Sequence, residues 1–143
     1  MVINKRKKQS AANTKALISN SYPDSVISEQ FRMIQTNIKF SLAGEKSKVI
    51  LITSPSDGEG KSTTASNLAI TLSQQKEKVL LIDANLRNPA LHSFFNNSNV
   101  NGLVDVLSGR IPFHDAITHT EVGRLDLLPS GQIPDNPVEL LGS

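Results

Sequence analysis

The sequence predicts an α/β fold in which helices cover both faces of a small parallel sheet. Two near-continuous apolar runs, residues 48–53 and 78–83, are typical of buried strands, and a helical pattern over residues 62–75 joins them. A third strand is predicted at residues 125–128, where Pro-Ser-Gly follows. About three strands make a thin sheet for a fold of this kind, so the sequence predicts an incomplete one.

Four further helices are predicted around these strands. The first begins near residue 24, with Asp24 or Ser25 as its N-cap, and ends at Gly44. Short helices are expected over residues 102–107 and 112–117, and another begins at residue 136. The first helix carries an apolar stripe at spacings of four, three and four residues, formed by Ile27, Phe31, Ile34 and Ile38.

Residues 1–22 are predicted to form a disordered basic tail. Five positive charges fall within the first fifteen residues, and the first acidic residue is Asp24. The remainder carries ten basic and thirteen acidic residues, a net charge of −3. The tail is interpreted either as a solubilising segment or as an arm near an anionic membrane face, where each charge contributes up to about 1 kcal/mol. Nucleic acid is not expected as a partner, because no aromatic residues alternate with the basic ones.

The composition favours a cytoplasmic protein. The chain of 143 residues has no cysteine, which excludes a disulfide framework and fits a reducing compartment. Its apolar runs are all shorter than the roughly 20 residues that span a bilayer. The basic N-terminus lacks the apolar segment of a secretory signal.

A glycine-rich turn between the first strand and the next helix is the strongest functional signal. It ends in Gly-Lys-Ser, the pattern of a loop that binds nucleoside phosphates. Gly58 and Gly60 allow positive φ and a close approach of the backbone to an anion. Lys61 can reach the outer phosphates, and Ser62 can bind Mg²⁺. The predicted nucleotide-binding set is Asp57, Gly58, Glu59, Gly60, Lys61, Ser62 and Thr63.

The loop places residues 23–143 in the N-terminal part of a P-loop NTPase-like domain. Pro55 stands where the general motif has its first glycine, and Ser56 stands where Min- and Par-type ATPases have a signature lysine. The second departure argues against a partitioning or septum-placement ATPase.

Asp83 is the second candidate site residue, because it ends the second predicted strand. Ligands of open α/β sheets lie beyond the carboxyl ends of the strands. Asp83 is therefore expected close to the phosphate loop, at the end of the neighbouring strand, where a carboxylate could hold Mg²⁺ or accept a proton. The plainer interpretation is a helix cap, and the position favours the functional one.

Two motifs together resemble the bacterial tyrosine kinases, and more narrowly the cytoplasmic kinases of Gram-positive capsule and exopolysaccharide operons. They are Asp-Gly-Glu-Gly-Lys-Ser-Thr at residues 57–63 and Val-Leu-Leu-Ile-Asp-Ala-Asn-Leu-Arg-Asn-Pro at residues 79–89. Residues 28–37 and 129–141 are similar to further segments of that family. The resemblance implies ATP and Mg²⁺ as ligands and autophosphorylation on tyrosine.

The resemblance also implies the catalytic residues, namely Lys61, Asp83, Arg87 and the position of Asn85. Ser62 and Asp83 would hold the metal. The family has a second aspartate where this chain has Asn85, whose amide can bind a metal but cannot take a proton. The phosphoryl-transfer step is therefore expected to be slower.

A motif for subunit contacts is expected in the first helix. Glu29 and Arg32 match it, whereas Gln35 replaces an arginine. Spacings of three residues would place all three on one helix face, and the neutral Gln35 would weaken a homo-oligomer. The plainer interpretation is a solvated pair between Glu29 and Arg32.

The resemblance further implies a membrane-embedded adaptor, a cognate tyrosine phosphatase, and a peripheral location at the inner face of the membrane. The family's third nucleotide motif and its tyrosine cluster have no counterpart, since Tyr22 is the single tyrosine. The chain is therefore interpreted as a truncated kinase with little activity of its own. The alternatives are an ATPase that switches a partner and a remnant that binds nucleotide without catalysis.

Overall fold

The computed structural model describes residues 16–142. Three strands and seven helices lie along this part of the chain, and the helices at both ends are short. In chain order they are α1 (Ile18–Ser21), α2 (Val26–Ser41), α3 (Lys61–Gln74), β1 (Val79–Ile82), α4 (Leu91–Phe94), α5 (Leu103–Leu107), α6 (Phe113–Ala116), β2 (Thr118–His119), β3 (Leu125–Leu128) and α7 (Pro137–Gly142).

The strands form one mixed sheet in the order β1–β3–β2. β1 pairs with β3 in parallel, with Val79 opposite Leu125 and Ile82 opposite Leu128. The two-residue strand β2, which the sequence did not predict, pairs with β3 in the antiparallel direction. The predicted α/β class is confirmed, although the sheet is not purely parallel.

The core lies between α3 and one face of the sheet. Ile70 of α3 is fully buried against Leu125 of β3, and Val79 and Leu81 of β1 pack on the same cluster. The strand residues alternate along β1, as expected for a strand with one covered face. α3 therefore fixes the position of the sheet relative to the phosphate loop, because the helix starts where that loop ends.

The prediction of a strand at residues 48–53 is wrong. No backbone hydrogen bond joins these residues to another strand of the described chain, and Val49 and Leu51 are 97% and 83% exposed. β3 has β1 on one side and β2 on the other, so no position beside β3 is free for this segment. Residues 49–51 instead line a shallow groove beside α2.

Helices were also expected on both faces of the sheet, but one face of β1 is not covered in the described part of the chain. Leu80 and Ile82, which point away from α3, are exposed. The strand–helix–strand unit predicted from residues 48–83 therefore reduces to α3 and β1, with the second face of β1 uncovered in the described part of the chain.

α2 begins as predicted but turns a different face inward. The Ser25 side chain accepts a hydrogen bond from the Ser28 backbone and caps the helix. Ile27 and Ile34 of the apolar stripe are exposed, whereas Ser28 and Gln35 are buried. The buried face is polar because its neighbours supply hydrogen bonds: the Ser28 hydroxyl donates to the Tyr22 carbonyl over 2.7 Å.

Part of the predicted disordered tail is ordered. Residues 1–15 lie outside the described residues, but residues 16–22 contain α1 and pack on α3. Leu17 joins the core, and the Ser19 backbone N–H donates to Asn67 Oδ1 over 2.8 Å. Asn67 Nδ2 donates to the Ala16 carbonyl over 2.7 Å. These contacts place the start of the ordered domain before residue 23.

The remaining predicted elements are confirmed within a residue or two. The short helices α5 and α6 lie within the predicted ranges, and α7 begins at Pro137 after Asn136. Between residues 16 and 142, no helix is long and apolar enough to cross a membrane.

Candidate nucleotide-binding site

The phosphate loop joins the exposed segment 48–53 to α3. Gly58 and Gly60 have φ angles of 75° and 86°, a region in which glycine is strongly favoured. A Cβ atom on either would meet nothing within 4 Å, so the space next to both glycines is open. Gly60 is the N-cap residue of α3, and its carbonyl accepts the first helical hydrogen bond from Thr64.

The first turn of α3 offers groups that suit an anion. The backbone N–H groups of Lys61, Ser62 and Thr63 have no acceptor among residues 16–142. The N-terminal end of a helix carries partial positive charge, and such free N–H groups point along its axis. The Ser62 hydroxyl also makes no hydrogen bond with the described residues, and its side chain is half-buried.

Lys61 folds back over the loop that precedes it. Its ammonium donates to Ser54 Oγ over 3.0 Å and to the Ser56 carbonyl over 3.3 Å. Glu59 does not pair with Lys61; its carboxylate accepts from the Ser56 hydroxyl over 3.0 Å. Asp57 is exposed in the turn, and Thr63 is half-buried in α3. Ser54 was missed by the sequence analysis, because it stands before the motif.

Asp83 is buried just beyond β1, where its carboxylate accepts three backbone hydrogen bonds. Oδ2 accepts from Ala90 and Leu91, each over 3.0 Å, and Oδ1 accepts from Asn85 over 3.1 Å. The helix-cap interpretation therefore describes what Asp83 does in this structure. An ionised carboxylate has about four acceptor positions, so one is left for a metal or a proton donor.

Asn85 and Arg87 lie in the turn between β1 and α4. Asn85 Oδ1 accepts from the Asn88 backbone over 3.3 Å, so its amide oxygen supports the turn. Both residues line a partly open cavity of about 140 Å³, which Val138 and Leu141 of α7 also line. Arg87 is exposed.

The structure brings the predicted residues together in two separate groups. One contains the phosphate loop with Lys61 and Ser62, and the other contains Asp83, Asn85 and Arg87. The sheet does not join them as expected, because the segment before the loop is not paired with β1. α3 provides the connection, since it starts at Lys61 and packs on β1.

The expected subunit-contact face is not formed by its three residues. Gln35 is fully buried within this chain, and its Nε2 donates to Gln75 Oε1 over 2.7 Å. Glu29 and Arg32 are exposed, and Arg32 donates to the Pro23 carbonyl over 2.8 Å. Gln35 cannot contact another subunit from this position, because α3 and its C-terminal turn cover it.

The loop fits Mg²⁺ with a nucleotide better than an isolated metal ion. No group of three His, Cys, Asp or Glu side chains in residues 16–142 could hold a metal. The open glycine turn, the free N–H groups and the Ser62 hydroxyl instead suit a polyphosphate that brings its own oxygen ligands to the metal. The fold and this loop define a P-loop NTPase-type α/β domain.

Comparison with known proteins gives the family. Residues 47–140 match the family described as "AAA domain". The tyrosine-protein kinase YwqD of Bacillus subtilis is 45% identical over 138 residues, which are 96% of this chain and 58% of that protein. The putative tyrosine-protein kinase CapB of Staphylococcus aureus is 40% identical, over 92% of this chain and 60% of that protein. The chain belongs to the AAA-domain family, and the relatives named here are bacterial tyrosine-protein kinases.

Solved structures agree with this assignment. The chimerical protein CapA2B2 has a TM-score of 0.84 and 43% identity, and the match covers 90% of this chain and 57% of that one. The septum site-determining protein MinD of Pyrococcus horikoshii, complexed with Mg-ADP, has a TM-score of 0.54 and 33% identity over 62% of this chain. The chain thus spans somewhat more than half the length of YwqD, CapB and CapA2B2.

Proposed function

We propose that this chain is the nucleotide-binding part of an ATP-dependent protein-tyrosine kinase that autophosphorylates and regulates the synthesis and export of capsular or extracellular polysaccharide. The names of the relatives support the activity, and the phosphate loop is the observation that carries it. An open turn with two glycines at positive φ leads directly into free N–H groups at the start of α3. ATP is the proposed phosphoryl donor.

Each loop residue has a role in this proposal. The N–H groups of residues 61–63 and the Lys61 ammonium bind phosphate oxygens, and the Ser62 hydroxyl is a metal ligand. Asp57 and Glu59 shape the turn beside them. Mg²⁺, when bound with the nucleotide, neutralises the charge that develops on the phosphates. Gly58 and Gly60 leave room for the phosphates, because neither carries a Cβ.

The proposed reaction is an in-line transfer to a tyrosine hydroxyl. The hydroxyl oxygen forms a bond to the γ-phosphorus while the bond from that phosphorus to the β–γ bridging oxygen breaks, and ADP leaves. Asp83 is the proposed acceptor of the hydroxyl proton through its remaining acceptor position. Arg87 is exposed in the same turn, and its proposed role is to attract the phosphate by its positive charge. Asn85 cannot accept a proton, so the step would be slower than with an aspartate there.

The proposed partners follow the family. A membrane-embedded adaptor would hold the protein peripherally at the inner face of the membrane in the cytoplasm. The five basic residues among the first fifteen suit an anionic surface. A cognate tyrosine phosphatase would reverse the modification. A homo-oligomer would use the exposed Glu29 and Arg32, without help from the buried Gln35.

Nucleotide binding is tested by thermal denaturation of the chain with MgATP. A ligand present at 100 times its Kd stabilises the folded state by about 2.7 kcal/mol, which raises Tm measurably. Replacing Lys61 with alanine should remove most of this rise, whereas the exposed Lys48→Ala variant should keep it. No rise in the parent chain would refute the nucleotide-binding proposal.

The reaction type is tested with γ-labelled ATP and a tyrosine-containing peptide. Label in the peptide supports the kinase, whereas release of free phosphate without transfer supports an ATPase that switches a partner. Binding without either reaction supports the inactive remnant, which Asn85 favours for the isolated chain because its amide cannot accept a proton. Robust autophosphorylation of the 143-residue chain would contradict the expectation of little activity.

A further inference from the structure

Lys61 is held in a defined position by the loop itself. Its ammonium donates to Ser54 Oγ, seven residues earlier, and to the Ser56 carbonyl. The Ser54 hydroxyl donates in turn to the same Ser56 carbonyl over 2.7 Å. A serine hydroxyl has one proton to donate, so Ser54 must accept from Lys61, and the three groups form a closed triangle.

Both acceptors in this triangle are neutral. Lys61 makes no ion pair among residues 16–142, and Glu59, the nearest acidic residue in sequence, is engaged by the Ser56 hydroxyl. The positive charge of Lys61 therefore remains available to an anion. An ammonium has three donor positions, and the triangle uses two of them, so one is free.

We propose that Ser54 is a positioning residue for polyphosphate binding. Its hydroxyl holds Lys61 over the loop before a nucleotide arrives, so the long and flexible lysine side chain loses less freedom on binding. This inference rests on the proposed function, because it assumes that the loop binds nucleotide. It assigns a role to a residue outside the Gly-Lys-Ser motif, since Ser54 lies six residues before Gly60.

The first experiment examines the nucleotide-free protein. The full chain is treated with limiting acetic anhydride, and the acetylation rate of each lysine is followed by mass spectrometry. We expect Ser54→Ala to raise the rate at Lys61 about three- to tenfold, the effect of one net hydrogen bond. Ser54→Thr keeps the hydroxyl and should stay near the parent rate. The exposed Lys48 provides the internal reference, and an unchanged rate at Lys61 in Ser54→Ala would overturn the proposal.

The second experiment measures MgADP binding by isothermal titration calorimetry in a double-mutant cycle. The four proteins are the parent, Ser54→Ala, Lys61→Ala and the double variant. Ser54→Ala should weaken binding about three- to tenfold in the parent and cause no further loss when Lys61 is absent. An equal loss in both backgrounds would show that Ser54 acts only on the shape of the loop, and no loss in the parent would also overturn the proposal.

The two experiments separate the two hypotheses. If the parent chain does not bind MgADP, the proposed function fails, and so does the use of Ser54 in nucleotide binding. The acetylation rates would still decide whether Ser54 holds Lys61. If MgADP binds but Ser54→Ala changes neither measurement, only the positioning role is wrong.

Discussion

At the scale of single residues, Asp83 shows how a candidate catalytic group can also be a structural one. Its carboxylate accepts hydrogen bonds from Asn85, Ala90 and Leu91, which fix the turn after β1 and the start of α4. The sequence placed Asp83 at the end of a strand, a position from which either role is possible. The two roles use different acceptor positions of one carboxylate, so they are compatible.

Removing the Asp83 carboxylate should destabilise the fold. Asp83→Ala leaves three backbone N–H groups without their acceptor in a buried place, and we expect a loss of about 2–3 kcal/mol in the free energy of unfolding. Asp83→Asn keeps one acceptor oxygen and should lose less. Urea unfolding measures both, with the exposed Asp135→Ala as control. A fully stable Asp83→Ala variant would mean that the cap contributes nothing.

At the scale of elements, α1 is held on α3 by side-chain hydrogen bonds as well as apolar contacts. α3 buries several polar residues on the side that faces α1 and the core: Ser66, Asn67, Thr71 and Ser73. Asn67 uses three bonds, from Ser19 and to Ala16 and Thr63. A polar residue in a helix interior is costly when buried unless such partners satisfy it. This polar contact explains why residues 16–22 are ordered although their composition suggested a tail.

Asn67→Ala should release α1 from α3. The Ser19 N–H and the Ala16 carbonyl lose their partner, and we expect a loss of about 2–3 kcal/mol in stability. Amide hydrogen exchange at Ser19 should become faster than in the parent chain, while Ile70 in the core stays protected. Thr64→Ala, an exposed substitution on the same helix, is the matched control. Unchanged exchange at Ser19 would show that Leu17 alone holds the segment.

At the scale of the whole molecule, the end of β3 is locked to the segment that enters α5. The backbone N–H groups of Leu103 and Val104 donate to the carbonyls of Pro129 and Ser130 over 2.8 and 2.9 Å. A Cβ atom at Gly102 would lie 2.2 Å from the Pro129 oxygen. The backbones approach so closely here that only glycine fits. This contact ties the sheet to the part of the chain that follows the second site group.

Gly102→Ala should therefore weaken the whole fold. The added methyl group cannot be accommodated without moving the turn after β3, and we expect a loss of about 3 kcal/mol in the free energy of unfolding. Thermal denaturation followed by circular dichroism measures it. Gly142→Ala, where a Cβ atom would have nothing within 4 Å, is the control and should leave Tm nearly unchanged. Equal Tm values for the two variants would contradict the packing seen at Gly102.

The sequence by itself determined the features that depend on neighbouring residues. The phosphate loop, the start of α3 within one residue and the start of α2 after Asp24 or Ser25 follow from consecutive residues whose backbone preferences are strong. The similarity to bacterial tyrosine kinases followed from the same local motifs. These features need few contacts with distant parts of the chain, so their pattern could be read without the fold.

The tertiary structure alone decided which segments meet. Strand pairing left residues 48–53 outside the sheet: β1 and β2 occupy both sides of β3, and the outer edge of β1 has no strand partner among the described residues. Packing turned the polar Gln35 of α2 inward against Gln75 and left Ile34 exposed. Such outcomes depend on hydrogen bonds and contact surfaces between residues far apart in the chain, and periodicity within one segment carries no information about them.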